Sequence, residues 1–355
     1  MTELLEIREA DGAFVRIEEW LADHGFFGPA ADDLVADVYL GYGLSQSIRR
    51  DASPSPLEPC PALPLAACRF RDKETQRLNG SLEIGDWVRT WNAPEYGVAI
   101  EDVRAAIGRG DVYQVNLVQH LSATFAGDPQ ALAARLAPLR PLQPEPFVTD
   151  TWAVVSASPE LFLARRGDRV WTMPIKGTRP RGEAAELRRS EKDAAEHVMI
   201  VDLERNDLSR VCVAGTVRWP ELMATRELAG VEHMVSTVEG TLRDGVGLAE
   251  ILHATFPGGS VTGAPKIAAV DIIARLEPVG RGASMGAVGQ VYGNGDFDLA
   301  LTIRTFAIAE RAIHLWVGGG IVWDSDPATE VEESWTKARP LLEAIGSRAP
   351  EGVPA

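Results

Sequence analysis

The clearest pattern of hydrophobic and polar positions lies in the last third of the chain, where it predicts a run of hairpins. Residues 284–292 are predicted to form a strand, Asn294-Gly295 a hairpin turn, and residues 297–309 and 312–322 two further strands. Both alternating faces of the middle strand are apolar, so we expect that strand to lie between two layers.

The middle of the chain combines short strands with helices. Residues 152–157, 160–165 and 169–175 are predicted strands around two tight turns. Residues 183–203 have apolar positions at helical spacing, and Pro265 suits the first turn of a further helix. Strands joined by hairpins, with helices between the groups, predict an α+β fold: a large antiparallel two-sheet sandwich flanked by helices.

The first 92 residues are weakly patterned. Residues 32–44 are a predicted strand that ends in glycines, and five prolines mark residues 53–64 as an irregular connection. A short helix over residues 101–110 and a strand over residues 111–121 follow.

Composition narrows the class of protein. Of 355 residues, 45% are hydrophobic and 24% are charged, which are ordinary values for a globular protein. The formal net charge of −16 argues against a nucleic-acid binder. No apolar run reaches the ~18 residues of a membrane span. The N-terminal residues lack the charged and then apolar pattern of a signal peptide. The three cysteines form no CxxC pair. We therefore expect a reduced, cytoplasmic protein that binds neither nucleic acid nor membrane.

Lysine is scarce in this chain. Only five of the 35 basic residues are lysine, so a retained lysine is a candidate for what arginine cannot do, which is to lose its proton and attack. Lys176 is the sharpest case, because it lies in the segment PIKGT at the end of a predicted strand. An ordinary surface lysine is the alternative, and the scarcity of lysine favours the functional interpretation.

Familiar short motifs are absent from the sequence. The segment GGSVTGAPK resembles a phosphate-binding loop, but Ala264-Pro265 separates its last glycine from the lysine, where the Walker pattern requires Gly-Lys-Ser/Thr. Neither HExxH, nor GxSxG, nor a helix-opening GxGxxG occurs. Nucleotide-binding, zincin and serine-hydrolase functions therefore lose support.

Some charged and glycine positions are candidates for a site. Arg304 lies inside a predicted apolar strand, where a guanidinium needs a carboxylate from a ligand or from a structural ion pair. Gly318-Gly319-Gly320 interrupts another strand, which indicates either a close approach of backbones or a bulge. His233 is more often an ordinary buried histidine than a catalyst.

Carboxylates are the other candidates. Glu330 and Glu333 lie three residues apart on a final helix that Asp326 is predicted to cap, so they share a face. Glu196 lies in the long predicted helix, and Glu160 at a strand edge. The solvated surface is the usual place for any one glutamate. Two carboxylates from different helices would suit Mg²⁺, which takes one or two protein carboxylates with water and substrate oxygens.

Seven ordered segments together resemble the chorismate-utilising enzymes, the family of anthranilate synthase component I, aminodeoxychorismate synthase component I, and isochorismate and salicylate synthases. The resemblance runs from about residue 96 to residue 345. Four of the five lysines lie inside or beside the segments that carry it, which are GDVYQVNL, SPELFL, PIKGT, EKDAAEHVMIVDLERNDLSRV, FPGGSVTGAPK, TIRT and GGGIVWDSDPATEVEES.

Two positions distinguish the reactions within this family. A lysine in the PIxGT segment, here Lys176, is typical of aminodeoxychorismate synthases, whereas anthranilate and isochorismate synthases typically carry alanine there. Gln114 occupies the place of the lysine base of the water-adding isochorismate and salicylate synthases, and glutamine cannot deprotonate water. The resemblance therefore implies amination of chorismate at C4, for p-aminobenzoate and folate biosynthesis. Anthranilate synthase component I is the alternative enzyme.

The resemblance also implies a role for each candidate residue. Glu196 and Glu333 would hold Mg²⁺ against the ring carboxylate, with Glu330 nearby. Glu160 would protonate the departing C4 hydroxyl, and Lys176 would attack C2. The remaining implied site residues are the substrate contacts Gln114, Thr178, Thr262, Arg304, Gly318, Gly319 and Gly320, and His233, which matches an active-site histidine of the family.

The resemblance finally implies an organisation and partners. We expect residues 1–92 to form a short segment that packs on the same domain, residues 93–346 to form the chorismate-binding catalytic region, and residues 347–355 to form a tail. No segment resembles a glutaminase, so a glutaminase subunit that supplies ammonia is implied. The alternative to an enzyme is a non-catalytic regulatory or scaffolding relative. The intact carboxylates, arginine and lysine argue against that alternative.

Overall fold

The computed structural model describes residues 3–28, 31, 33–71, 80–180, 182–228 and 231–350. The helices of this part are α1 (Ala13–Asp23), α2 (Ala93–Gly108), α3 (Pro129–Leu136), α4 (Ala184–Arg189), α5 (Glu191–Ser209), α6 (Leu248–Thr255), α7 (Lys266–Leu276) and α8 (Pro327–Ala344). The strands are β1 (Leu4–Ile7), β2 (Val35–Leu40), β3 (Ala66–Phe70), β4 (Leu82–Ile84), β5 (Val88–Arg89), β6 (Gln114–Gly127), β7 (Phe147–Val148), β8 (Trp152–Ser156), β9 (Leu161–Arg166), β10 (Arg169–Met173), β11 (Ile175–Pro180), β12 (Arg218–Leu228), β13 (Val231–Thr241), β14 (Gly263–Ala264), β15 (Ala287–Tyr292), β16 (Phe297–Leu301), β17 (Thr305–Ala309) and β18 (Ala312–Ile321).

Two antiparallel sheets form the body of the protein. The larger sheet has the order β1-β3-β2-β15-β16-β9-β10-β13-β11, with β12 also paired to β13. The smaller sheet has the order β14-β6-β18-β17-β8-β7, with β4 and β5 paired to β6. The predicted α+β fold with two antiparallel sheets and flanking helices is confirmed.

Two apolar layers hold these sheets in place. One core lies between the sheets and includes Leu117 of β6, Leu163 of β9 and Leu299 of β16. The other lies between the smaller sheet and its helices, and includes Phe306 of β17 and Trp335 of α8. Both faces of β17 are buried, as its apolar sequence predicts for a strand between layers.

A two-stranded ribbon passes from one sheet to the other. The prediction of one continuous strand over residues 297–309 is wrong, because β16 belongs to the larger sheet and β17 to the smaller. Arg304 therefore lies at the break between two strands, with a left-handed φ of 49°, and not inside a strand. The other half of the ribbon crosses in the same way, since β8 pairs with β17 in the smaller sheet and β9 pairs with β16 in the larger sheet. Glu160 lies at that second crossing.

The N-terminal strands extend the larger sheet. Strand β2 pairs with β15, β3 with β2, and β1 with β3, so this part of the chain shares a sheet with β9 and β11. Helix α1 buries Phe14, Ile17 and Leu21. Within the described ranges, no helix has both the length and the apolar character needed to cross a bilayer. Of the predicted tail, residues 351–355 lie outside the described residues.

Two predicted helices have different bounds in the structure because of their caps. The helix predicted over residues 183–203 is divided into α4 and α5 at Ser190, whose side chain accepts the Asp193 N–H as the N-cap of α5. The helix predicted from residue 101 begins at Ala93, since Asn92 and Glu95 form a capping box. The predicted cap of α8 is confirmed: the Asp326 side chain accepts the Thr329 N–H at 2.9 Å.

Candidate active site

Lys176 lies on β11 and points toward the glycine-rich loop. Its strand pairs with β13, where Met234 is its register partner. The side chain is half-buried, and its Nζ donates a hydrogen bond to the Ser260 carbonyl oxygen at 3.4 Å. Ser260 belongs to the 3₁₀ turn Gly259–Val261, so the loop that resembles a phosphate-binding loop supplies a contact for the candidate nucleophile.

Glu160 is a buried acid at the crossing between the sheets. It is 4% exposed, and its Oε1 accepts the Ile175 N–H at 3.4 Å, one residue before Lys176. Burial raises the pKa of this carboxyl, while the positive charges of Lys176 and Arg304 oppose the rise. A carboxyl whose pKa is raised holds its proton more readily, which suits a general acid.

Arg304 and His233 complete this side of the site. The His233 Nδ1 donates to the Gly177 carbonyl oxygen at 3.0 Å, which orients the ring toward the Lys176 strand. Burial lowers the pKa of His233, and the nearby charge of Arg304 lowers it further. The pKa of Arg304 is itself lowered by burial and raised by Glu160. The structure thus brings together the predicted residues Glu160, Lys176, His233 and Arg304.

The acidic face of α8 lies against the glycine strand β18. A Cβ atom at Gly319 would lie 3.5 Å from Glu333 Oε1 and 3.6 Å from Glu330 Oε2. Glu330 is buried, and its Oε1 accepts a hydrogen bond from Ser325 Oγ at 2.6 Å. Lys337 pairs with Glu333 at 2.8 Å and donates to the Gly318 carbonyl oxygen at 3.0 Å. Gly319 therefore lies in contact with the charged ends of all three side chains.

Gln114 lies between the glycine-rich loop and the glycine strand. It pairs in register with Ala264, and a Cβ atom at Gly320 would run into its Nε2. In the described part of the chain, its buried Oε1 has no hydrogen-bond partner. A buried acceptor without a donor is costly, so a ligand or water is needed there. The pairing of β18 with β6 has no register shift, which favours close approach over a bulge at Gly318–Gly320.

The other predicted contacts are less direct. The Thr262 hydroxyl donates to the Gly258 carbonyl oxygen at 2.9 Å within the loop. The backbone of Thr178 pairs with His233 in the register of β11 and β13, and its side chain lies outside what the structure describes. Glu196 is half-buried on α5, which packs against β11 and the Gly259–Val261 turn.

The carboxylates are the candidate ligands of a magnesium ion. Among the residues that the structure describes, no group of three or more His, Cys, Asp and Glu side chains converges on one point. Glu330 and Glu333 both approach Gly319 with hard oxygen donors. Mg²⁺ usually keeps several waters and takes only one or two protein carboxylates. The carboxylate oxygens of Glu330 and Glu333 are therefore a suitable type of ligand for this ion.

Sequence reasoning missed three residues of this site. Lys337 lies four residues after Glu333 on a predicted helix, and that spacing was a usable signal of the ion pair. Ser260 and Glu204 contact the site through the loop backbone, and nothing in their spacing indicates it.

The sequence of this chain is similar to those of known proteins. The family model described as chorismate binding enzyme matches residues 45–343. Anthranilate synthase component 1 of Thermus thermophilus is 45% identical over 261 residues, which cover 69% of this chain and 56% of that protein. Aminodeoxychorismate synthase component 1 of Klebsiella aerogenes is 40% identical over 270 residues, which cover 74% of this chain and 60% of that protein. The chain thus spans less than two thirds of the length of these relatives.

Solved structures agree on the fold. Anthranilate synthase component I from Streptococcus pneumoniae superposes with a TM-score of 0.81 at 25% identity, covering 91% of this chain and 84% of that one. A structure described as a putative isochorismate synthase from Bacillus anthracis superposes with a TM-score of 0.75 at 23% identity, covering 98% and 92%. At that identity the second likeness indicates the fold alone.

Proposed function

The chain belongs to the chorismate binding enzyme family, and we propose that it is an aminodeoxychorismate synthase component I, which converts chorismate and ammonia to 4-amino-4-deoxychorismate. The observation that carries this proposal is Lys176, whose amine lies beside the glycine-rich loop and close enough to Glu160 for its charge to act on that buried acid. The relatives divide between aminodeoxychorismate and anthranilate synthases, so the choice between the two reactions rests on this lysine.

The proposed chemistry uses a lysine nucleophile and a carboxylic acid. Lys176, as the neutral amine, attacks C2 while the C4–O bond breaks, and Glu160 gives its proton to the hydroxyl, which leaves as water. Ammonia then attacks C4 while the C2–N bond breaks, and Lys176 leaves as the neutral amine. The new ammonium at C4 returns a proton to Glu160. One substitution at C4 is thereby divided into two allylic substitutions.

Binding of chorismate is assigned to the opposite walls of the site. Arg304 and the amides of the Gly318–Gly320 stretch would hold one carboxylate, and Gln114 offers its buried Oε1 to a ligand donor. Glu196 and Glu333, with Glu330 nearby, would hold Mg²⁺, and the bound ion would supply Lewis-acid chemistry at the ring carboxylate. These local groups must overcome the net charge of −16, which repels a dicarboxylate.

The proposal includes a partner and a place in the cell. Ammonia would come from a glutaminase subunit, and a lyase would convert the product to p-aminobenzoate. The cytoplasm is the proposed location. Anthranilate synthase component I is the second candidate, favoured by the 45% identity to the Thermus thermophilus enzyme. A non-catalytic relative is disfavoured, since the acid, lysine and arginine converge in one site.

Mass analysis of the product tests the proposal. The chain is incubated with chorismate, Mg²⁺ and an ammonium salt, with and without an added aminodeoxychorismate lyase. We expect 4-amino-4-deoxychorismate alone, and p-aminobenzoate when the lyase is present. Anthranilate as the product would establish the second candidate, and the absence of any turnover would support a non-catalytic relative.

A further inference from the structure

Glu204 on α5 is a buried acid that no step of the proposed reaction uses. It is 4% exposed, and its Oε1 accepts the Gly259 N–H at 3.0 Å. Gly259 begins the 3₁₀ turn Gly259–Val261 of the glycine-rich loop. A carboxyl of the helix therefore fixes the orientation of one peptide group in this loop.

The next residue of the loop, Ser260, contacts the candidate nucleophile directly. The Ser260 carbonyl oxygen accepts the hydrogen bond from Lys176 Nζ. A Cβ atom at Gly259 would lie 2.6 Å from Leu203 Cδ2 and 3.0 Å from Glu204 Oε1, so the turn is packed tightly against α5. On the other side of the turn, the Thr262 hydroxyl donates a hydrogen bond to the Gly258 carbonyl oxygen. The turn has little freedom to move while this hydrogen bond and the one to Glu204 are both present.

We propose that Glu204 is a positioning residue: through the backbone of Gly259 and Ser260 it places the Ser260 carbonyl oxygen, which holds Lys176 Nζ for its attack on C2. This inference rests on the proposed function, because it assigns Lys176 as the nucleophile. A hydrogen-bonded amine whose partner is fixed reaches the reacting carbon in a defined geometry, and the rate of a bond-forming step depends steeply on that geometry.

The electrostatics of Glu204 agree with this role. Burial and the neighbouring Asp207 raise its pKa, Lys266 and the hydrogen bond from the Gly259 N–H oppose the rise, and Glu160 adds to it. The acid therefore favours its neutral form, which can accept the Gly259 N–H through its carbonyl oxygen. A neutral acid at this position adds no negative charge that would favour the protonated, unreactive form of the nearby lysine.

Three variants separate positioning from a structural role. Glu204→Gln keeps a neutral oxygen acceptor for the Gly259 N–H. Glu204→Met fills a similar volume without that acceptor. Glu58→Ala is the matched control, because it removes a carboxyl that accepts a glycine N–H at 2.9 Å, from Gly282, in a part of the chain that does not hold Lys176. Circular dichroism and thermal unfolding confirm that each variant folds; if Glu204→Met does not, Glu204→Ala replaces it with the same expectation.

The measurement is the rate at which a covalent adduct forms on Lys176, read by intact-protein mass after rapid quenching with chorismate and Mg²⁺ but no ammonia. We expect Glu204→Met to slow adduct formation about 10–100-fold, the scale on which small misplacements act. Chorismate affinity, measured by calorimetry, should stay within about twofold of wild type, since Glu204 takes no part in holding the ligand. Glu204→Gln and Glu58→Ala should form the adduct at nearly the wild-type rate.

The inference alone would be overturned by equal adduct rates in wild type and Glu204→Met, or by a Glu204→Gln variant that is folded yet as slow as Glu204→Met. A loss that is confined to chorismate affinity would also overturn it, because a positioning residue acts on the rate. If wild type forms no adduct at all, the proposed function fails, and this inference fails with it.

Discussion

At Lys176 the proposed reaction needs an amine that can lose its proton, which arginine cannot supply. Lys176→Arg keeps the positive charge, so we expect it to form no adduct and no 4-amino-4-deoxychorismate. Lys176→Ala should lose the same route. Intact-protein mass without ammonia and product mass with ammonia are the two measurements.

A structural role for this lysine leads to a different result. Both variants would then lose thermal stability and keep the product of the wild type. Unimpaired formation of 4-amino-4-deoxychorismate by Lys176→Arg would remove the basis for the proposed reaction and favour the anthranilate alternative.

The carboxylates of the proposed magnesium site can be separated from their neighbours on one helix. Glu333→Gln and Glu196→Gln each remove a negative charge, so turnover should fall at least about 100-fold while the fold survives. Glu332→Gln is the matched control, because Glu332 is next to Glu333 on α8 but pairs with Arg339. Chelation should abolish wild-type turnover, and added Mg²⁺ should restore it. Full activity in excess EDTA would exclude the metal from the reaction.

A site residue could be predicted only where the neighbouring sequence indicates its role. Glu160, Lys176 and Arg304 stand in short segments that resemble the family, and the structure brings all three together. Glu204 also stands in such a segment, but the segment does not indicate its role, because its contact with Gly259 joins residues 55 apart in sequence. A hydrogen bond between a side chain and a distant backbone group follows from the packing of two elements, and spacing along the chain cannot show it.

At the scale of elements, the split of the predicted strand over residues 297–309 has a physical reason. An apolar run indicates that each half is buried, but it does not indicate which sheet buries it. The crossing is marked by the left-handed backbone of Arg304, a conformation that residues other than glycine rarely adopt. The crossing matters for function, since it places Arg304 and Glu160 at the same junction of the two sheets.

The cap at Ser190 is a second element-scale feature with a measurable consequence. Its side chain accepts the Asp193 N–H at 3.2 Å and starts α5, the helix that carries Glu196 and Glu204. Ser190→Ala removes this acceptor and should lower the free energy of unfolding by about 1 kcal/mol, as loss of an N-cap does. Ser190→Asp keeps an acceptor and should stay close to wild type. Urea unfolding of the three proteins is the test, and equal stability of wild type and Ser190→Ala would contradict it.

For the whole molecule, a buried histidine pair in the smaller sheet links stability to pH. His120 of β6 and His314 of β18 lie with Nε2 and Nδ1 3.0 Å apart, and the first ring also contacts Thr90. Burial lowers the pKa of His120 to about 3 and that of His314 to about 4. The unfolded chain takes up these protons near the ordinary pKa of ~6.5, so the folded state loses stability as pH falls below that value.

The size of this effect can be measured against a variant. Each histidine that stays neutral in the folded state costs up to about 1.4 kcal/mol per pH unit below the unfolded pKa. His314→Gln keeps a polar partner for His120 but removes one titrating group. We expect the unfolding free energy of this variant to fall less steeply than that of wild type between pH 6 and pH 4. Parallel curves in this interval would show that the pair does not contribute.

The place of the N-terminal strands could not be read from the sequence. Their apolar patterns are short, and their pairing with β15 joins segments that are far apart along the chain. Pairing between distant strands is decided by the match of whole surfaces, which a local pattern does not contain. The sequence could predict two antiparallel sheets from the hairpins of the later segments, but not which early strands complete the larger one.

The last prediction concerns the nitrogen source of the whole chain. The family match covers residues 45–343 and describes a chorismate binding enzyme, so the isolated protein is expected to lack glutaminase activity. With chorismate and Mg²⁺, it should therefore form the C4-aminated product from ammonium salts and not from glutamine. The attacking species is neutral ammonia, a minor form at neutral pH, so the rate should follow the concentration of free ammonia as the buffer is made mildly alkaline. Product formation from glutamine by the pure chain, or a rate that follows total ammonium at every pH, would contradict this assignment of the nucleophile.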